Sequence, residues 1–199
     1  VEIGSYQVLE HIVTAKEAIV ATNSPNLDLI PAHIDLVAIE IELIDKTNRE
    51  MMLRKALEPI KGDYDYIFID CAPSLGLITL NALTAAHSAI IPIQCEYFAL
   101  EGLGKLLNTI KSIQKIHNKD LGIEGMLLTM YDSRLRLSNQ VVGEVKKHFG
   151  NMVFNTIIQR NVKLGEAPSF GETTIDYDAT SKGASSYLKL AQELISKKK

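Results

Sequence analysis

The sequence predicts an α/β fold in which a doubly wound, mostly parallel sheet is covered by helices on both faces. Short, almost continuously apolar runs alternate along the chain with longer segments whose apolar residues recur at helical spacing. Runs that are apolar throughout are typical of strands buried on both faces, as in parallel sheets. Strict alternation of strands and helices implies right-handed crossovers between neighbouring strands. Because no repeat or linker rich in Pro, Gly or Ser interrupts the pattern, we expect a single domain over residues 1–199.

Five strands and seven helices are predicted in this order. The apolar runs place strands at 26–31, 64–70, 88–93, 125–130 and 153–158. Apolar residues at helical spacing place helices at 5–21, 33–44, 47–60, 76–86, 98–116, 138–149 and 181–197. The helix at 98–116 has the most regular pattern, with Leu100, Leu103, Leu106, Leu107, Ile110 and Ile113 on one face.

Composition excludes several classes of protein. The chain has 199 residues, 46% of them apolar and 23% charged, which disfavours intrinsic disorder. The two cysteines, Cys71 and Cys95, form no CxxC pair, so a disulfide scaffold is not expected. No apolar run approaches the roughly 18 residues of a membrane-spanning helix. We therefore expect a cytoplasmic protein, and the first residue, Val1, suggests that the natural start lies further upstream.

The net charge of −3 conceals an uneven distribution. Residues 1–65 hold 12 acidic and 6 basic side chains, whereas residues 131–163 hold 6 basic and 2 acidic ones. We call residues 131–163 the basic segment. It is a candidate surface for a polyanion, the alternative being a solvated helix face.

Asp70 is the first candidate site residue. It ends the apolar run 64–70 and precedes a loop with Pro73, Ser74 and Gly76. In open α/β sheets ligands bind beyond the carboxyl ends of the strands, where an acid can hold a water of Mg²⁺. The alternative is that Asp70 only caps the following loop and helix.

A phosphate-cradling loop of the form G-x-x-x-x-G-K-[ST] would be expected to accompany such an acid. The sequence contains no such loop. Its nearest string, 102–106, lacks the first glycine and the hydroxyl residue and falls within a predicted helix.

Four separate stretches, 64–76, 86–102, 127–134 and 160–171, resemble the ParA/Soj family of chromosome and plasmid partition ATPases. The likeness runs from about Tyr6 to the C-terminus in one register. Members of this P-loop NTPase-like family begin with a deviant Walker A loop and a second strand that carries a catalytic aspartate. This sequence starts after both. The resemblance therefore implies the C-terminal three-quarters of a ParA-type ATPase domain with its first strands missing, which alone would lack activity.

The resemblance also implies a nucleotide site for ATP or ADP with Mg²⁺. Asp70 would be the Walker B acid that holds Mg²⁺ through water, and 72–76, including Pro73, would be the phosphate-sensing switch. The adenine pocket would consist of Thr129, Met130, Gln159, Arg160 and Asn161. The family usually has two prolines at 72–73 and a proline at 159, so this chain departs at Ala72 and Gln159. For Met130, packing in the core is the alternative.

Arg134 and Lys163 lie where the family has basic residues that bind DNA. Both fall in the basic segment, and Lys and Arg give sequence-independent affinity by neutralising phosphates. The segment has few aromatic residues, which favours contact with the backbone of double-stranded DNA over stacking on single strands. The family further implies a homodimer that sandwiches ATP, association with the nucleoid, and a ParB/Spo0J-type protein that stimulates hydrolysis.

Three other functions remain possible at this point. A truncated, non-catalytic paralogue acting as an interaction module would agree with the missing Walker A loop. A membrane-binding relative of the MinD kind is disfavoured because little follows the last predicted helix, so no membrane partner is expected. An iron–sulfur relative is disfavoured by the placement of Cys71 and Cys95.

Overall fold

The computed structural model describes residues 3–71, 76–96 and 99–197. The chain divides into two compact units, Val1–Ser88 with Thr109–Leu121 and Ala89–Asn108 with Gly122–Lys199. The single domain expected over 1–199 stays a prediction. Within the described ranges, no helix is long and apolar enough to cross a membrane.

The first unit consists of short helices and one small hairpin. Its helices are α1 (Ser5–Leu9), α2 (Ile39–Glu42), α3 (Met52–Leu57) and α4 (Leu77–Ala85), together with the last part of α5 (Ala99–Ile116). Three 3-10 helices cover Ile34–Ala38, Arg49–Met51 and Glu58–Asp63. The hairpin pairs β1 (Val20–Ala21) with β2 (Asp28–Leu29) in antiparallel register.

Polar side chains fix both ends of α4. At its N-terminus the Glu40 carboxylate accepts hydrogen bonds from the Leu77 and Ile78 amides, at 2.7 and 3.1 Å. At its C-terminus the buried Asn118 amide nitrogen lies 2.8 Å from the Ala86 carbonyl oxygen and within reach of two further carbonyls. A helix leaves backbone N–H groups at its start and C=O groups at its end without partners inside the helix. At α4, side chains of the same unit bind such groups at both ends.

The helix predicted at 5–21 ends early, at Leu9. His11 adopts a left-handed backbone with φ of 57°, which stops the helical hydrogen bonding. A new turn then starts at Thr14, whose amide donates to the Glu17 carboxylate at 2.8 Å while its hydroxyl accepts from the Glu17 amide. The helices predicted at 33–44 and 47–60 are likewise broken into α2, α3 and the 3-10 helices around them.

Neither strand predicted in the first unit forms in the structure as expected. The run at 26–31 contributes only β2, an exposed two-residue strand in a hairpin rather than a buried parallel strand. Within the described ranges, residues 64–70 form no strand, and Phe68 is 73% exposed. A strand requires a continuous ladder of backbone hydrogen bonds, and among the described residues this run forms no such ladder.

The second unit contains the parallel pair β3 (Ser88–Gln94) and β4 (Gly122–Thr129). Its helices are the first part of α5, then α6 (Arg136–Phe149), α7 (Val162–Glu166), α8 (Thr174–Tyr177) and α9 (Lys182–Lys197), with 3-10 helices at Gly150–Met152 and Ala167–Phe170. The strands predicted at 88–93 and 125–130 and the helices predicted at 98–116, 138–149 and 181–197 are confirmed, with shifted ends.

Phe154 is the centre of the core of this unit. It is fully buried and clusters with Leu127, Ile158 and Leu190. Its ring lies so close to Gly125 that a Cβ there would be 2.6 Å from Cε2 of the ring. Glycine at 125 is therefore required by close packing between β4 and the segment that follows α6.

The strand predicted at 153–158 is interrupted. Val153 bridges to Met126 in parallel, but the backbone then leaves β4 for three residues and returns at Ile158. The Glu193 carboxylate of α9 accepts hydrogen bonds from the Asn155 and Thr156 amides, at 2.7 and 2.8 Å. Partial burial alone would raise the pKa of Glu193, but these hydrogen bonds lower it.

Replacing Glu193 with Gln should destabilise the chain at pH 7 by about 1 kcal/mol, because an amide cannot accept both hydrogen bonds. The melting temperature should fall by about 3 °C, measured by calorimetry. A carboxylate with a lowered pKa stabilises the fold above its unfolded-state pKa and loses that effect as the pH falls through its folded value. The difference between wild type and variant should therefore shrink in acid.

Glu172→Gln is the matched control, since Glu172 is an exposed acid of the same unit. A Glu193→Gln variant as stable as this control at pH 7 would show that the two amides do not depend on the carboxylate.

Candidate functional site

The end of β4 contains a β-bulge. The Leu128 carbonyl accepts from the Ile158 amide at 2.9 Å, and the Ile158 carbonyl accepts from the Tyr131 amide at 3.1 Å. In a regular parallel ladder that second donor would be residue 130, two positions after Leu128. One extra residue, Met130, is thus inserted, and the ladder resumes where the Arg160 amide donates to the Tyr131 carbonyl at 2.9 Å.

Met130 adopts a left-handed backbone conformation at this bulge. Its φ is 53°, a conformation that costs a residue with a side chain about 1–2 kcal/mol. Strain of this kind is often found beside functional sites, where it redirects the side chains of a strand end. The Met130 side chain is partly buried, and its role in an adenine pocket or in packing stays a prediction.

The bulge brings together the residues predicted to form the adenine pocket. Thr129 and Met130 lie at the end of β4, and the parallel bridge between Tyr131 and Gln159 places residues 159–161 beside them. The Asn161 side chain accepts from the Lys163 amide at 2.9 Å and so caps α7. All five predicted residues therefore lie at one edge of the sheet, while their contact with adenine stays a prediction.

Glu96 is a residue of this edge that the sequence did not indicate. It follows buried Cys95, whose amide donates to the Thr129 carbonyl at 3.0 Å. The Glu96 carboxylate forms an ion pair with the Arg160 guanidinium, and both side chains are about half exposed. The available signal was the position of Glu96 two residues after the end of β3, at the same sheet edge as Thr129.

Cys95 is chemically inert here. It is 1% exposed, and burial raises the pKa of its thiol to about 11. A protonated, buried thiol is a poor nucleophile, so its role is packing.

Arg134 is held by Asp132 but remains open to solvent. Its Nε and Nη2 donate to the two Asp132 carboxylate oxygens at 2.9 and 2.7 Å, and its side chain is 86% exposed. Hydrogen bonds from the Arg134 side chain and backbone hold the pKa of Asp132 at about 2, with a further contribution from nearby Arg160. Both groups are ionised throughout the neutral range. Asp132 accepts from only some of the five N–H donors of the guanidinium.

Lys163 lies in a tighter cluster. Its Nζ is 2.9 Å from Glu166 Oε2 and 5.3 Å from the centre of the Tyr177 ring, while the Tyr177 hydroxyl donates to the same Glu166 oxygen at 3.2 Å. We call these three residues the Lys163 cluster. The hydrogen bond from Lys163 lowers the pKa of Glu166, and Glu166 in turn raises that of Lys163.

Asp70 lies in the first unit, exposed at the end of the extended run 64–70. The predicted switch residues 72–75, including Pro73, lie outside the described residues. Within the described ranges no group of three or more His, Cys, Asp or Glu side chains is arranged to hold a metal ion. A lone exposed carboxylate still fits Mg²⁺, which keeps several waters and binds proteins through one or two carboxylates plus phosphate.

Comparison with known proteins identifies close relatives. A family described as an AAA domain matches residues 2–123. The sporulation initiation inhibitor protein Soj of Bacillus subtilis is 54% identical over 189 residues, or 95% of this chain and 75% of that protein. The chromosome partitioning protein ParA of Myxococcus xanthus is 50% identical over 190 residues, or 96% of this chain and 67% of that protein.

Solved structures agree in fold. The crystal structure titled cobyrinic acid a,c-diamide synthase from Mycobacterium smegmatis, with bound ADP and magnesium, is 38% identical with a TM-score of 0.82. The alignment covers 98% of this chain and 71% of that one.

The fold is that of a P-loop NTPase-like α/β protein, as the sequence predicted. Within that class, the chain belongs to the ParA/Soj family of partition ATPases.

The bulge at Met130 gives a test by substitution. Met130→Gly should be more stable than Met130→Val by about 1–2 kcal/mol, because glycine adopts positive φ without strain and a β-branched residue does not. Urea denaturation of the two variants measures the difference.

Thr129 is the matched control, one residue earlier and within β4. There the order should reverse, since glycine weakens a β-strand and valine favours it. The same order at both positions would contradict the bulge.

Proposed function

We propose that this chain acts in ATP-dependent segregation of chromosomes or plasmids. An ATP-sandwich homodimer binds double-stranded DNA without sequence preference in the cytoplasm, at the nucleoid, and hydrolyses ATP when a ParB/Spo0J-type protein stimulates it. The observation that best supports the proposal is the meeting of Thr129, Met130 and residues 159–161 at one sheet edge, next to the exposed cations of the basic segment.

The strand end would hold the nucleotide base. The bulge at Met130 turns the end of β4 beside residues 159–161, and the ion pair between Arg160 and Glu96 fixes the arginine at that edge. These groups would line a pocket for adenine. Gln159 stands where the family usually has proline, and its exposed amide would offer the base a polar group that proline lacks.

Asp70 would serve the phosphate end of the nucleotide. Its exposed carboxylate would hold a water of Mg²⁺, and the ion would neutralise charge on the phosphates during transfer. The residues that follow, including Pro73, would sense the γ-phosphate.

Arg134 and Lys163 would contact DNA phosphates. The Arg134 side chain is 86% exposed, and Asp132 occupies only its Nε and Nη2 edge. A guanidinium oriented in this way presents its remaining N–H groups to a phosphate. Such contacts carry no sequence information, in agreement with non-specific binding.

A second candidate function is that of a non-catalytic interaction module. It is favoured by one observation, the absence of G-x-x-x-x-G-K-[ST] from the sequence. Under the leading proposal ATP turnover requires the family's Walker A loop, so the tests below use a protein in which that loop is joined ahead of residue 1. We call that longer protein the extended chain.

Asp70→Asn in the extended chain should lower ATP turnover by about 10²-fold, because the neutral amide no longer attracts Mg²⁺ and its water. Phosphate release measures the rate. Asp65→Asn is the matched control, since Asp65 is an exposed acid near the start of the same apolar run.

Equal turnover of the Asp70 and Asp65 variants would contradict the role of Asp70. An extended chain that neither binds Mg-ATP in isothermal titration nor hydrolyses it would favour the interaction module instead.

Replacing both Arg134 and Lys163 with Ala should weaken ATP-dependent DNA binding by the extended chain. Two lost phosphate contacts should reduce the slope of log affinity against log salt by about 1.8. Fluorescence anisotropy with random-sequence duplexes measures both quantities. The matched control removes two charges from the end of α6, at Lys146 and Lys147, and should have a smaller effect.

Equal binding with ATP and ADP would refute the proposed DNA role. The same loss in both double variants would instead assign DNA binding to net charge rather than to Arg134 and Lys163.

A further inference from the structure

The two cations proposed to bind DNA are held by their acids in different ways. Asp132 takes one edge of a planar guanidinium that stays 86% exposed. Glu166 instead binds Nζ, the single nitrogen of the Lys163 side chain, which is 40% exposed. An ammonium is a compact point charge, so a carboxylate on it competes directly with any other anion.

Tyr177 strengthens the hold on Lys163. Its hydroxyl donates to Glu166 Oε2, the same oxygen that pairs with Lys163, and its ring lies 5.3 Å from the ammonium. The ring is itself stacked on Phe170 at 5.2 Å between centres. Two contacts therefore orient the Glu166 carboxylate: the ion pair with Lys163 on the same helix, α7, and the hydrogen bond from Tyr177 on α8.

We propose that Glu166 masks Lys163, so that a DNA phosphate has to compete with the Glu166 carboxylate for the lysine ammonium. The inference rests on the proposed DNA-binding function and adds a residue that limits affinity at that surface. A limited affinity suits a protein that has to leave DNA again. Breaking an exposed ion pair of this kind costs little, so the mask lowers affinity without abolishing it.

Glu166→Gln in the extended chain with ATP should bind random-sequence duplex DNA about two- to fivefold more tightly than wild type. Glutamine retains the size of the side chain and can still accept from Tyr177, so the cluster should keep its packing. Tyr177→Phe should tighten binding by a smaller factor, because it only loosens the orientation of Glu166. Fluorescence anisotropy at several salt concentrations measures the affinities, and thermal melting checks the fold.

Two controls separate masking from a general gain of positive charge. Glu172→Gln removes one negative charge from an exposed position nearby and should change affinity less than Glu166→Gln. In a Lys163→Ala background, Glu166→Gln should change affinity no more than Glu172→Gln does, because the residue it masks is absent.

Wild-type DNA binding distinguishes this inference from the function on which it rests. If the wild-type extended chain binds no DNA with ATP, the proposed function fails. If it binds, but Glu166→Gln tightens binding no more than Glu172→Gln, or does so equally without Lys163, the mask is refuted and the DNA role stands.

Discussion

Backbone pairing between β4 and residues 153–160 is the constraint on which the rest of the second unit depends. The segment approaches β4 at Val153, where Gly125 leaves room for the Phe154 ring, and it returns to β4 at Ile158. Between these points Glu193 binds two amides that no strand satisfies. The second contact then requires an extra residue on β4, and this requirement places Met130 in its strained conformation.

The same pairing determines what the site can do. Because the bulge lies at the carboxyl end of β4, residues 159–161 are fixed beside Thr129 rather than carried by a free loop. A site positioned on paired strands keeps its geometry better than one built on loops. Asn161 then both belongs to the strand-end group and caps α7, so the position of Lys163 follows from the position of the ladder.

The sequence predicted those elements whose partners lie close along the chain. Regular apolar spacing in α5 and α9 and the apolar runs of β3 and β4 were sufficient, since these segments bury their apolar faces within this chain. The run 64–70 has an equally clear pattern but forms no ladder in the described residues, because an apolar pattern indicates burial and does not supply a hydrogen-bonding partner. The helix predicted at 5–21 failed for a local reason, the left-handed turn at His11, which apolar spacing does not reveal.

For the site, the sequence identified the cations but not their charge partners. Summed over 131–163 the basic segment is positive, yet a sum treats Arg134 and Lys163 as equivalent. Folding makes them different, because Asp132 binds along one edge of an extended guanidinium whereas Glu166 binds the single Nζ of the Lys163 ammonium. Surface affinity for a polyanion therefore depends on which charges remain available as well as on their number. Under the proposed function, Arg134 would stay available to DNA phosphates while the neighbouring acid Glu166 would hold Lys163 back.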